Sequence, residues 1–160
     1  MDATTMHSTF SLLADIQRDY PEFVFQESDC FRWSPDSKTL YFDKTAPDPL
    51  PYILHELGHA VLEHTSYRQD IDLIKIERSA WEYAKNHLAV MYSITIDEEL
   101  IQENLDTYRE WLHGRSQCPS CAMTGLQAAK GSYTCLACGS RWKSNEARSC
   151  ALRRYNLSRT

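Results

Sequence analysis

The segment His55-Glu56-Leu57-Gly58-His59 constrains the fold of this chain more than any other feature of its sequence. It lies in an apolar stretch, and on a helix residues four apart project from the same face. Both imidazoles can therefore reach one ion, while Glu56 lies about 100° round the helix axis from His55. This pattern is typical of a zinc site whose glutamate is the general base of a peptidase. We interpret His55 and His59 as zinc ligands and Glu56 as the catalytic base.

A third zinc ligand is expected on the next predicted helix, which offers Glu77, Glu82 and His87. Glu77 fits best because Ala80 and Ala84 share its face, and small side chains there allow close packing on the helix of the two histidines. Gly58 would permit the same close approach from the other side. Glu82 lies about 140° from Glu77 on a helix and is expected to be solvated. His87 is expected to be a packing or surface residue.

These residues carry a resemblance to a known family. HELGH, followed by Glu77-Arg78-Ser79-Ala80-Trp81-Glu82-Tyr83-Ala84, resembles the ImmA/IrrE family of metallopeptidases. That family shows HELGH and then E-x-x-A-x-x-F-A, with the first Glu as the third zinc ligand. Tyr83 stands where the family usually has Phe, and Trp81 where it often has Asn. The resemblance implies a small α+β zinc-protease fold and regulatory proteolysis, typically of a helix-turn-helix transcriptional repressor in stress-response or mobile-element systems.

Four cysteines near the C-terminus form a second motif. Cys118 and Cys121, and then Cys135 and Cys138, form two C-x2-C pairs separated by thirteen residues. Four thiolates suffice for a closed tetrahedral structural zinc site, and a metal supplies the stability that a small module lacks. Redox pairs and disulfides are the alternatives, and both suit two paired motifs poorly. We predict a zinc ribbon, and therefore about two zinc ions per chain, one catalytic and one structural.

The charge of the chain is divided unevenly. Residues 1–112 carry 9 Lys and Arg against 21 Asp and Glu, whereas residues 113–160 carry 8 basic residues against Glu146 alone. The residues proposed to contact nucleic acid combine basic and aromatic side chains: Tyr133, Arg141, Trp142, Lys143, Arg153 and Arg154. Such a combination predicts binding of single-stranded DNA, which would activate the protease. The alternative is that the aromatic rings fill the ribbon's own core and the basic tail is solvated.

Two cysteines, Cys30 and Cys150, lie outside the ribbon motif. The simpler interpretation is a buried small residue and a tail thiol. The alternative is that one thiol reaches the open position of the catalytic zinc and keeps the enzyme latent. Cys30 is better placed for this because the hairpin that follows it precedes the helix of the two histidines.

The pattern along the chain predicts an α+β protein. Helices are expected over residues 9–20, 51–64, 70–91 and 95–112, the last with Thr95 as N-cap, and a β-hairpin is expected around residues 34–37. The predicted domains are a mostly helical, zincin-like metallopeptidase domain over 1–113, the zinc ribbon over 114–143 and a basic tail over 144–160. The N-terminus lacks the pattern of a signal peptide, and no apolar run is long enough to span a membrane, so a cytoplasmic protein is expected.

The sequence therefore predicts a gluzincin-like zinc endopeptidase whose substrate is a protein, expected to be a transcriptional repressor. One alternative is a SprT-like protease, which also joins HExxH to a C-terminal zinc ribbon but uses a third histidine. The other is a non-catalytic, nucleic-acid-binding zinc protein, against which the intact Glu56 argues.

Overall fold

The computed structural model describes residues 3–146 and 151–157, with side chains from residue 9 onward. It is a mixed α+β structure with two small sheets, which confirms the predicted class. The described helices include none long and apolar enough to cross a lipid bilayer. The chain forms two compact units, the first of residues 1–65 and 76–98 and the second of residues 66–75 and 99–160. The second unit thus takes in residues 66–75 and 99–113 together with the predicted ribbon and tail.

The first unit begins with a helix, a small sheet and a second helix. Their bounds are α1 Ala3–Asp19, β1 Val24–Glu27, β2 Arg32–Ser34, β3 Thr39–Phe42 and α2 Leu50–Val61. The predicted hairpin is confirmed, because β2 pairs antiparallel with β3 around the Ser34–Ser37 turn. The strand β1 pairs parallel with the other side of β3, so the sheet order is β1-β3-β2 and β2 lies at an edge.

A proline in the first turn of α2 favours the start of the helix, and its apolar residues account for its burial. Pro51 lies in its first turn, where the missing amide proton costs nothing. The helix ends three residues earlier than predicted because Glu63 adopts a left-handed conformation with φ of 55°. The residues it buries include both histidines of the motif: Pro51, Ile53, Leu54, His55, Leu57, Gly58, His59 and Ala60.

A long helical segment follows. It consists of α3 over Asp70–Tyr83, a π-helical turn over Ala84–Leu88 and the short helix α4 over Ala89–Met91, which together match the predicted helix over 70–91. Residues 70–75 belong to the second unit and the remainder to the first. Trp81, Ala84 and Leu88 are fully buried and form part of the core of the first unit.

The second unit contains α5 over Glu98–Ser116 and a four-stranded antiparallel sheet. The helix begins three residues after the predicted start, so Asp97 rather than Thr95 precedes its first turn. The strands, in the order in which they pair, are β4 Leu126–Ala129, β5 Ser132–Thr134, β6 Arg141–Ser144 and β7 Arg154–Leu157. The predicted tail is therefore partly structural, because β7 pairs with β6 along residues 154–157.

Candidate metal centre

The helix α2 brings the two histidines of the motif together. His55 and His59 are both buried, and their Nε2 atoms lie 3.1 Å apart. This is the arrangement that the spacing of four residues predicts for an α-helix. Trp81 lies fully buried against His55, with ring centroids 4.1 Å apart and planes within 6° of parallel. The stacked indole fixes the plane of the His55 ring.

The helix α3 brings Glu77 to the same point. Its Oε2 atom lies 3.3 Å from His55 Nε2 and 3.5 Å from His59 Nε2, and the side chain is buried. The two helices approach closely at Gly58, where an added Cβ would lie only 2.7 Å from the backbone oxygen of Ala80. Gly58 and Ala80 therefore make the approach possible, in the way the sequence predicts for small residues on both helices.

These three residues fit a zinc ion. Nitrogen and oxygen ligands of a tetrahedral zinc ion at about 2.0–2.2 Å lie about 3.3–3.6 Å from one another, close to the separations of the three ligand atoms here. Glu77 Oε2 is buried and makes no hydrogen bond within the part of the chain that the structure describes, and its polar neighbours are the two imidazoles. A buried carboxylate oxygen in that state is costly unless a cation satisfies it.

The electrostatics of the cluster favour an ionised carboxylate. Burial raises the pKa of Glu77, but the two adjacent imidazoles outweigh burial and hold that pKa well below its usual range. Burial lowers the pKa of His59, but the Glu77 carboxylate outweighs it and the pKa lies above its usual value. Glu77 is thus in the protonation state that a metal ligand needs, whereas a bound ion would have to displace the proton that the raised pKa favours on His59.

Glu56 lies beside the cluster without belonging to it. The backbone N–H of Trp33, on the edge strand β2, donates a 2.7 Å hydrogen bond to Glu56 Oε2. The other carboxylate oxygen, Oε1, lies 3.6 Å from His55 Nδ1, on the side of that ring away from the ligand atoms. The carboxylate is thus held by the sheet through Oε2, while Oε1 lies beside His55 and outside the set of ligand atoms.

The other candidates for the third ligand lie elsewhere. Glu82 is exposed and accepts a 2.8 Å hydrogen bond from Arg78 Nε. His87 is exposed and stacks on Tyr83, with ring centroids 4.7 Å apart. Both positions agree with the sequence-based interpretation of these residues as solvated or packing groups.

Cys30 is not brought to the cluster. Its side chain is exposed, and its contact is with the hydroxyl of Ser28, at 3.6 Å. The thiol is not among the residues that converge with His55 and His59. Cys150 lies outside the described residues.

The four ribbon cysteines also converge. The Sγ atoms of Cys118 and Cys138 lie 3.7 Å apart, and those of Cys121 and Cys135 lie 3.5 Å apart. Thiolates bound to a tetrahedral zinc ion at about 2.3 Å are separated by about 3.8 Å, so the quartet also fits zinc. All four are free thiols in the structure, as is Cys30. Hydrogen bonding by Ser140 lowers the pKa of the Cys138 thiol to about 6. A backbone hydrogen bond from Met123 lowers the pKa of Cys121, but the neighbouring thiols outweigh it and that pKa is raised to about 12.

The two cysteine pairs adopt the same turn. In each, the residue after the second cysteine donates its N–H to the carbonyl of the first, from Ala122 to Cys118 and from Gly139 to Cys135, both at 2.9 Å. That residue is left-handed in both turns, with φ of 62° at Ala122 and 72° at Gly139. The repeated geometry indicates two equivalent halves of one site.

The aromatic residues proposed to stack on DNA are buried in the ribbon. Tyr133 is 2% exposed and Trp142 is fully buried, and their rings stack on each other in a core with Cys118 and Cys135. The Tyr133 hydroxyl donates a hydrogen bond to the carboxylate of Asp70, at the start of α3. This corrects the proposed stacking platform, because neither ring can take a base without opening the core.

The basic residues of the ribbon are divided between surface and interior. Arg141, Lys143 and Arg153 are exposed, whereas Arg154 is half-buried and donates a 2.7 Å hydrogen bond to the Gln117 carbonyl. Arg115, which contributes to the basic balance of the C-terminal segment, is fully buried. Its guanidinium lies 4.4 Å from the centroid of a tryptophan ring on α5 and hydrogen-bonds Ser144. The exposed basic surface is thus smaller than the sequence implies.

Two contributors to the site lie outside the ligands and the base that the sequence predicts, although the sequence offers the second of them as a candidate to stabilise the oxyanion. One is the Trp33 backbone N–H, which no side-chain pattern reveals. The other is His64, whose Nδ1 lies 3.0 Å from His59 Nδ1. His64 also lines a cleft of about 590 Å³ in the first unit together with Trp33, Phe23, Tyr20 and Lys38. Burial, with the nearby His59, lowers the pKa of His64.

Comparisons with protein-family models, with curated proteins and with solved structures find no match to this chain.

Proposed function

We propose that this chain is a zinc-dependent endopeptidase in which His55, His59 and Glu77 hold the ion and Glu56 is the general base. The observation that carries the proposal is the convergence of three ligand atoms within 3.5 Å of one another, beside a carboxylate that does not join them. A metal site that served only to stabilise the fold would be expected to close its coordination with a fourth protein ligand. Three protein ligands leave a position for substrate or water, and Glu56 is the base that hydrolysis requires.

Each residue has a separate task in this proposal. Zinc bound at the cluster would supply a Lewis acid and would lower the pKa of a water ligand to about 7. Glu56 accepts a proton from the water that attacks the peptide carbonyl and delivers it to the leaving amine nitrogen. The Trp33 N–H holds one oxygen of that carboxylate at 2.7 Å, so the base is oriented before substrate arrives.

The resemblance to the ImmA/IrrE family supports regulatory proteolysis, with a helix-turn-helix repressor as the substrate. The cleft beside His64 and Trp33 supports binding of a protein segment, because three aromatic rings and the charged residues Lys38, Glu22 and Glu63 line it. The four-cysteine site stabilises the ribbon in this proposal and takes no part in hydrolysis, since four thiolates leave zinc no open position. Binding of DNA by the ribbon would lose its aromatic component, and of the basic residues proposed from the sequence, Arg141, Lys143 and Arg153 are exposed.

The two alternatives from the sequence receive less support. A SprT-like protease needs a third histidine ligand, whereas the cluster contains Glu77, and His87, the histidine considered from the sequence as a third ligand, is exposed. A non-catalytic zinc protein would have no use for a positioned base, whereas Glu56 is held by a backbone donor.

The test compares the zinc content and the cleavage activity of matched variants of the full chain. Glu56→Gln should retain about two zinc ions and lose cleavage, because the base is not a ligand. Glu77→Gln should retain only the ribbon zinc, while Glu82→Gln, the same charge change five residues along α3, should behave as wild type. Cleavage is measured by mass spectrometry of new protein N-termini in cells that express each variant.

The outcomes separate the metal site from the chemistry. New N-termini made equally by wild type and Glu56→Gln would refute the proposed base. The absence of any new N-terminus with wild type would refute the peptidase. Full zinc content in Glu77→Gln would refute the third ligand.

A further inference from the structure

The conformation of the chain at the C-terminus of α2 places His64 beside the metal cluster. Glu63 has a left-handed conformation, and the His64 N–H donates a 3.0 Å hydrogen bond to the carbonyl of His59. The Glu63 N–H donates a 3.2 Å hydrogen bond to the carbonyl of Ala60. This is the pattern of a Schellman motif, in which the chain folds back over the last helical turn. The local backbone therefore places the His64 side chain next to His59.

A continuous chain of hydrogen bonds runs from His59 to α3. His59 Nδ1 lies 3.0 Å from His64 Nδ1, and His64 Nε2 lies 3.2 Å from Ser79 Oγ. Ser79 Oγ in turn donates a 2.9 Å hydrogen bond to the carbonyl of Ile76. The last acceptor belongs to the same helix as Glu77.

The hydrogen bond from Ser79 to Ile76 determines which atom donates in each of the other hydrogen bonds. A carbonyl only accepts hydrogen bonds, so the single hydroxyl proton of Ser79 goes to Ile76. Ser79 Oγ must then accept from His64, which puts the proton of a neutral His64 on Nε2 and leaves Nδ1 as an acceptor. His59 Nδ1 must therefore be the donor. Its Nε2 lone pair is left facing the other ligand atoms, 3.1 Å from His55 Nε2 and 3.5 Å from Glu77 Oε2.

We infer that His64 is a positioning residue that holds His59 in the tautomer with the proton on Nδ1, and so presents the Nε2 lone pair of His59 to the zinc ion. A backbone carbonyl or carboxylate is the usual partner for this purpose, and here a neutral histidine fills that place through Ser79. His64 is not a further ligand, because the nitrogen that faces the cluster is committed to His59. The inference rests on the proposed zinc site and not on the peptidase activity.

The test measures the affinity of the full chain for Zn²⁺ against a competing chelator, with three substitutions. His64→Leu removes the acceptor and should weaken zinc binding at the cluster by about 10–100-fold. His64→Asn keeps an acceptor near the position of Nδ1, in its amide oxygen, and should stay within a few-fold of wild type. Ser79→Ala should lie between the two, because His64 remains but its tautomer is no longer set. The ribbon zinc is the internal reference for the amount of zinc-loaded chain.

A spectroscopic measurement reads the hydrogen bond directly. In zinc-loaded protein labelled with ¹⁵N-histidine, the proton between His59 and His64 should be attached to His59 Nδ1. A coupling across the hydrogen bond should join the two Nδ1 nitrogens. The same proton should be missing from the spectrum of His64→Leu.

Several results would overturn the inference. One is zinc bound by His59 through Nδ1, or the shared proton attached to His64. Another is wild-type affinity in His64→Leu, and a third is an equal loss in His64→Leu and His64→Asn, which would indicate packing rather than hydrogen bonding. Failure of wild type to bind zinc at the cluster would instead refute the proposed site, so the two failures are distinguishable.

Discussion

Gly58→Ala is the substitution that most directly tests how the metal cluster is assembled. The new Cβ would lie 2.7 Å from the Ala80 carbonyl oxygen, whereas ordinary contacts begin at 3.4 Å. The α3 backbone must therefore move away by about 0.7 Å, because a backbone oxygen cannot rotate aside as a side chain can. Glu77 lies one turn before Ala80 on the same helix and moves with it.

The expected effect on zinc follows from that displacement. Metal–ligand distances tolerate changes of about 0.2 Å, so a shift of about 0.7 Å at Glu77 exceeds what the site can absorb. We expect the affinity of the cluster for Zn²⁺ to fall at least about tenfold, while the four-cysteine site keeps its ion. The helix gains about 1 kcal/mol from replacing glycine, and overpacking costs about 1–3 kcal/mol, so the net free energy of unfolding should fall.

Gly114→Ala is the matched control. Gly114 also lies within a helix, α5, but its added Cβ would meet only the terminal Cδ2 of Leu152, at 3.1 Å. That methyl can move, so this variant should gain up to about 1 kcal/mol of stability and keep both zinc affinities. The assays are chelator competition and urea unfolding of the zinc-loaded chains. The reasoning is refuted if Gly58→Ala binds zinc within twofold of wild type and gains stability as Gly114→Ala does.

Three further predictions concern backbone conformation and the ribbon core. Ala122→Gly should raise the free energy of unfolding by about 1 kcal/mol, and Gly139→Ala should lower it by a similar amount, because both positions are left-handed. Urea unfolding measures both changes. If both variants changed the free energy of unfolding in the same direction, the two turns would not be equivalent. Glu63→Gly should preserve the cluster's zinc affinity in chelator competition, because glycine adopts the left-handed conformation at the end of α2 without strain; a tenfold loss would show that the carboxylate itself matters. Tyr133→Phe should lower stability by about 1–3 kcal/mol, since the Asp70 carboxylate loses its phenolic donor; unchanged thermal unfolding would refute this role for the hydroxyl.

The parts of the site that the sequence predicts are those that local geometry fixes. A spacing of four residues on a helix places His55 and His59 on one face whatever surrounds them. Two C-x2-C pairs bring thiols together in the same way, because each pair spans one tight turn. Glu77 was predictable for a related reason, since the small residues on its helix indicate which face packs closely. The structure brings all of these residues into two clusters.

Other features depend on contacts between distant parts of the chain, and the sequence holds no periodic signal for them. The hydrogen bond from the Trp33 backbone to Glu56 joins residues 23 apart, and that of Tyr133 to Asp70 joins residues 63 apart. A tyrosine or tryptophan can stack on a base at the surface or fill a core, and its residue type does not distinguish the two. Packing alone decides that Tyr133 and Trp142 are buried.

His64 combines the two cases. The sequence shows that a histidine follows the motif, and its pattern predicts that α2 ends near that histidine. The role of His64 depends on Glu63, which is left-handed although it is not a glycine, and on Ser79 of α3. Hydrogen-bond direction is a property of the assembled network, because each donor is chosen by the acceptor beyond it. Only the tertiary structure could decide which nitrogen of His59 is left free to bind an ion.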